Sequence, residues 1–64
     1  MEKGERTVLW NAWIDAKTAL RTAGDAHYIE CLREAERAYT ALESAALADG
    51  CYQHQDCIER WARA

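Results

Sequence analysis

The sequence predicts an all-α fold: an antiparallel helical hairpin followed by a short third helix, self-associated as a helical bundle. Three observations carry this expectation. The chain has no proline, and its three glycines, at positions 4, 24 and 50, divide it into blocks. Within each block the apolar residues recur at the alternating three- and four-residue spacing of one helix face. The chain is also only 64 residues and 7.3 kDa, near the lower limit at which one hydrophobic core supports itself.

In the first block Leu9, Trp13, Ala16, Leu20 and Ala23 form one stripe, which predicts a helix over about 5–22. In the second block Tyr28, Leu32, Ala35, Tyr39, Leu42 and Ala46 repeat the pattern, predicting a helix over about 26–48. The two stripes are out of register by one residue. Continuing the first beyond Ala23 would place His27 and Glu34 on an apolar face, so the helix is interrupted at Gly24-Asp25. Glycine is an expected stop residue and aspartate an expected start residue, and together they predict a tight turn. The second stripe ends in the same way at Asp49-Gly50. A new stripe of Cys51, His54, Ile58 and Trp61 predicts a third helix over about 51–63, with Asp56–Arg60 and Glu59–Arg63 as supporting pairs.

The first helix is apolar around an unusually wide arc. Beyond the Leu9 stripe, Val8, Ala12 and Ala19 extend one flank and Trp10 and Ile14 the other. A helix covered on so many sides needs more than one neighbour, which places it centrally, between the second helix and either the third helix or a second subunit. Cys31, Ala38 and Ala45 extend one flank of the second helix, and alanines at such contacts permit close approach. Hydrophobic gain and chain entropy nearly cancel at this length, so a homodimer is the expected state.

The net charge of −3 and a pI near 5.2 disfavour a general attraction to nucleic acid or to an anionic membrane. No apolar run approaches the roughly 20 residues that span a bilayer, and residues 1–6 lack the apolar stretch of a signal peptide. The expected compartment is the cytoplasm. Three cysteines, Cys31, Cys51 and Cys57, cannot all pair internally and are expected as free thiols. Cys51 and Cys57, six residues apart, lie about 120° apart around a helix and nearly two turns apart along it, too far for a disulfide.

Candidate chemistry is sparse. Cys51, His54 and Cys57 supply soft ligands, yet on one helix they diverge around its axis, so no metal is expected there. His27 and Cys31 place a thiol one turn from a possible base, with no third group to orient them; no catalytic residue and no cofactor is assigned. The basic pairs Lys17 with Arg21, Arg33 with Arg37, and Arg60 with Arg63 read as solvated faces, the latter two interleaved with Glu30, Glu34 and Glu59.

One strip stands apart. Trp10, Ile14, Lys17 and Arg21 follow one another along the first helix, joining large apolar groups to two like charges. Such a strip is either packed beneath the third helix or suited to an acidic, partly apolar partner surface, and these four are the candidate partner-binding residues. The expected function is a non-enzymatic protein–protein interaction module acting on itself and on a host or cognate protein. Accessory proteins of phages and mobile elements that inhibit or modulate a host complex, such as a host-defence system, are commonly of this kind. In length and hairpin plan the chain is also similar to the Rop-type plasmid copy-number regulators, whose likeness implies an RNA-binding dimer; no residue carries over from it. A small zinc-binding helical module is the third alternative.

Overall fold

A computed structural model describes residues 2–64 and contains three helices: α1 (Lys3–Thr22), α2 (Tyr28–Ala48) and α3 (Gln55–Arg63). No residue described is in a strand. α1 and α2 form the expected hairpin. α1 packs against both α2 and α3, and α3 also touches α2, so the first helix is central as its wide apolar arc requires.

The hairpin turn is less regular than Gly24-Asp25 suggested. α1 ends at Thr22, Ala23 turns to extended backbone, and the His27 N–H donates to the Gly24 carbonyl at 3.0 Å. His27, rather than Asp25, precedes α2, and its side chain makes no cap hydrogen bond. Gly24 does not take the left-handed conformation; the glycine that does is Gly50, at φ 91°.

Gly50 closes α2 in a Schellman arrangement. The Gly50 N–H donates to the Leu47 carbonyl at 3.0 Å and the Cys51 N–H to the Ala46 carbonyl at 3.0 Å, so orphaned carbonyls at the helix end find donors. This termination corrects the third helix. Cys51 points back along α2, His54 is extended, and α3 starts at Gln55 rather than at 51, four residues later than the stripe implied. A left-handed glycine reverses the chain, and residues 51–54 carry it back to the hairpin. His54 is therefore exposed rather than part of an apolar stripe, whereas Cys51 is half-buried against the core.

α3 docks through Ile58, which is fully buried, and Ala62. They meet Trp13 of α1 and Leu42 and Ala46 of α2 in the single buried cluster. The two ends of α3 are electrostatically matched, with Asp56 in its first turn and Arg60 and Arg63 in its last. Arg6 of α1 reinforces the C-terminal end: its Nη1 donates to the Trp61 carbonyl at 3.1 Å and its guanidinium lies 5.6 Å from the centroid of the Trp61 ring. The Trp61 indole N–H donates to Asp49 Oδ2 at 3.0 Å, fastening α3 to the end of α2. The anticipated pairs Asp56–Arg60 and Glu59–Arg63 do not form among the described residues; Arg63 instead stands 6.0 Å above the Trp10 ring.

Nine residues of helix span about 13 Å and the twenty of α1 about 30 Å. α3 therefore covers less than half the hairpin. Tyr28, though on the predicted stripe, lies at the turn end and is 47 % exposed.

Candidate interaction surfaces

The two apolar flanks of α1 meet different fates. On one, Trp10 and Ile14 are half-buried and pack against the cluster that includes Ile58 and Ala62. Trp10 meets Trp13 edge to face at 5.4 Å, a geometry in which the ring edge of one points at the π-face of the other. Of the candidate binding strip, then, the two apolar members lie within the packed part of the molecule. Lys17 is half-buried, with Nζ 4.2 Å from the Trp13 ring centroid, and Arg21 is exposed in the last turn of α1. The four residues share a strip, but only Arg21 at its end is exposed.

On the other flank nothing covers α1. Val8 is 67 % exposed, and Ala12 and Ala19 are exposed as well. Across a shallow groove stands the corresponding flank of α2, where Cys31, Ala38 and Ala45 are half-buried and Ala41 and Ala48 are exposed. At the turn half of the hairpin the groove has a floor of Ala12, Ala16, Ala19 and Cys31, with Asp15, Glu30 and Glu34 along it. Toward the other end the small apolar residues continue, with Glu5 one turn before Val8. The apolar side chains of the face are no larger than valine, so a helix laid on them can approach closely.

Other expected constellations are not assembled. His27 Nδ1 lies 4.0 Å from Glu30 Oε2, and the link between His27 and Cys31 is a backbone hydrogen bond of helix entry, with the Cys31 N–H donating to the His27 carbonyl at 3.0 Å. Among the described residues no group of three or more His, Cys, Asp or Glu side chains is placed to hold a metal ion. All three cysteines are free and half-buried.

Three side chains have displaced titrations, one of them the Asp49 carboxyl, which hydrogen bonding holds below its ordinary value. Burial, and then the charges of Glu43 and Glu59, raise the Tyr39 hydroxyl above its ordinary value of 10.0. Tyr39 lies with its ring 5.1 Å from that of Trp13, at the edge of the core. Burial, and then the charge of Cys57, raise the Cys51 thiol above its ordinary value of 9.0. The placing of Cys51 and Cys57 nearly two turns apart on one helix does not hold, because α3 starts at Gln55. The separation assumed one continuous helix from residue 51, and the Schellman turn at Gly50 removes it. The sequence signal that could have revealed this was Gly50 itself, placed where a left-handed residue reverses the chain.

No helix among the described residues is long and apolar enough to cross a membrane. Compared with known proteins, the chain matches no family model, no curated protein and no solved structure.

Proposed function

We propose that this protein is a non-enzymatic, self-associating helical module that acts by binding another protein. The observation that carries the reading is the asymmetry of α1. One apolar flank is covered by α3, while the other, headed by Val8 at 67 % exposure, is open and continuous with the alanine flank of α2. The accessible surface points the same way. The chain exposes 4640 Å², against about 4,200 Å² expected for a compact monomer of its mass.

A second copy is the natural occupant of the open face. An antiparallel two-fold arrangement keeps the half of each groove with Asp15, Glu30 and Glu34 away from the same half of its partner, and so limits the facing of like charges. Arg21, exposed at the basic end of the other strip with Lys17 half-buried over Trp13 beside it, then remains outside the dimer for an acidic cognate protein such as a host complex. Nucleic-acid binding in the manner of the Rop-type regulators is less well supported. Arg37 is engaged with Glu34 at 3.3 Å, Lys17 lies over Trp13 and Arg63 over Trp10, which leaves little clustered free positive charge.

Substitution separates the two surfaces. Ala12→Glu introduces a charge into the open face at an exposed position, so it should leave the helical signal intact while removing the concentration dependence of the melting temperature. Lys17→Glu combined with Arg21→Glu should leave both unchanged and abolish capture of the cognate protein by the tagged chain in its native host. Capture retained by the double variant would remove Lys17 and Arg21 from the binding surface.

A further inference from the structure

α3 runs antiparallel to α1 in the groove between α1 and α2, with Trp61 at Arg6 and Gln55 at the hollow beside Trp13. Beyond Trp13, α1 continues to Thr22, about 14 Å further, and α2 runs beside it back to Tyr28. Among the described residues no third helix covers this stretch, which is as long as α3 itself. It opens from a hollow formed by Trp13, Ala35 and Tyr39, with Glu36 and Thr40 on the α2 side and Gln55 at its α3 end. Two helical turns toward the hairpin turn, the same faces carry half-buried Leu20 on α1 and, on α2, Tyr28 and Ile29, both exposed.

The rims of the stretch differ in charge. On α1 stand Lys17, its Nζ 4.2 Å from the Trp13 ring centroid, and Arg21 one turn on. On α2 stand Glu36 and, one turn nearer the hairpin turn, Arg33, both exposed.

We propose that this open stretch of groove binds an acidic amphipathic helix of the cognate protein, seated end to end with α3. The proposal rests on the reading that the chain binds another protein, and it names the surface and the kind of segment that surface takes. Continuity with α3 sets the form of the occupant. The adjoining stretch is filled by a nine-residue helix that sends Ile58 and Ala62 into the core, so the same two walls already accept the apolar stripe of a helix. Charge sets its polar edge. Lys17 and Arg21 are four residues apart along one rim, and carboxylates four residues apart on the occupant meet both. Glu36 on the opposite rim repels acids there, so the acidic edge of the occupant faces α1.

The probe is a stapled helical peptide of about twelve residues, with leucines at alternating three- and four-residue spacing and two glutamates four residues apart on one edge. A second peptide with lysines in place of the glutamates is the control. Titrated into the isotope-labelled protein, the glutamate peptide should shift the amide resonances of Trp13, Leu20, Ile29 and Tyr39 and leave those of Val8, Ala12 and Ala19 in place. The lysine peptide should bind roughly tenfold more weakly, and Arg21→Glu and Ile29→Glu, both at exposed sites, should each weaken the glutamate peptide by a similar factor without lowering the melting temperature. Ala12→Glu should bind it as the wild type does. Absence of binding, equal binding of the two peptides, or shifts on the Val8 face would overturn the proposal. So would loss of self-association in Ile29→Glu, which would seat a second copy in the groove. These outcomes strike the groove alone, because the protein-binding reading stands or falls on capture by the tagged chain.

Discussion

Ile58→Ala probes the docking of α3 directly, because Ile58 is fully buried and is the largest side chain that this helix contributes to the core. The substitution removes three carbon groups. At about 0.8 kcal/mol for each, the lost transfer term is about 2.4 kcal/mol. Incomplete collapse leaves a cavity, and about 50 Å³ of residual volume at about 24 cal/mol per Å³ adds about 1 kcal/mol. The expected destabilisation is therefore about 3 to 4 kcal/mol. A chain of this size has roughly 3 to 10 kcal/mol in total, so the variant should be largely or wholly unfolded at moderate temperature. Urea and thermal denaturation followed by far-ultraviolet circular dichroism measure the change. Tryptophan fluorescence adds a local report, since Trp61 sits on α3 and Trp10 lies beneath Arg63. The control is Ile29→Ala, at a site 56 % exposed, which should stay within about 0.5 kcal/mol of wild type. Equal effects of the two substitutions would refute the placement of α3. If only the docking of α3 were lost, the helical signal would fall by about a fifth and the hairpin would survive, which would show that the core does not depend on the third helix.

Two further substitutions read the turns and the edge of the core. Gly50→Ala should cost about 1 to 2 kcal/mol in a urea melt because φ is 91° there, whereas Gly24→Ala, at a glycine without positive φ, should be neutral or stabilising by about 0.4 to 1 kcal/mol. In both places an added Cβ meets open space, so the difference is conformational rather than steric. Tyr39 gives a pH dependence. Its folded-state titration lies above the ordinary value of 10.0, so the protonated hydroxyl's contribution is fully present below pH 10 and is lost as pH rises through the folded value. Stability should fall above pH 10, and Tyr39→Phe should reduce that fall; an unchanged alkaline limb in the variant would assign it to other groups.

Much of the fold is legible in the sequence because a packed helical hairpin needs little more than two in-register stripes and an interruption between them. Trp13, Ala35, Leu42 and Ala46 all fall on the predicted stripes and are all buried. Ile58 falls on the third stripe and is its anchor. Stripes record which face is apolar, however, and not how far a neighbour extends along it. Tyr28 belongs to the same stripe as Leu42 and is half exposed, because nine residues of α3 do not reach the turn end. The start of α3 was misplaced for a different reason. Cys51 and His54 match a helical period by spacing alone, and the backbone demand of Gly50 overrides that match. The candidate surface was half legible. Both flanks of α1 are visible in the sequence, but both are apolar, and only the packing of the cluster that holds Ile58 and Ala62 separates Trp10 and Ile14 from Val8 and Ala12.

The claim on which the functional account rests is that the face carrying Val8, Ala12 and Ala19 is an interface between copies of this chain. Light scattering coupled to gel filtration at micromolar concentration, on the wild type and on Ala12→Glu side by side, tests it most directly. The account predicts twice the 7.3 kDa chain mass for the wild type and a single chain mass for a folded Ala12→Glu. A wild-type protein that runs as a stable monomer, or an Ala12→Glu variant that keeps the double mass, would contradict it.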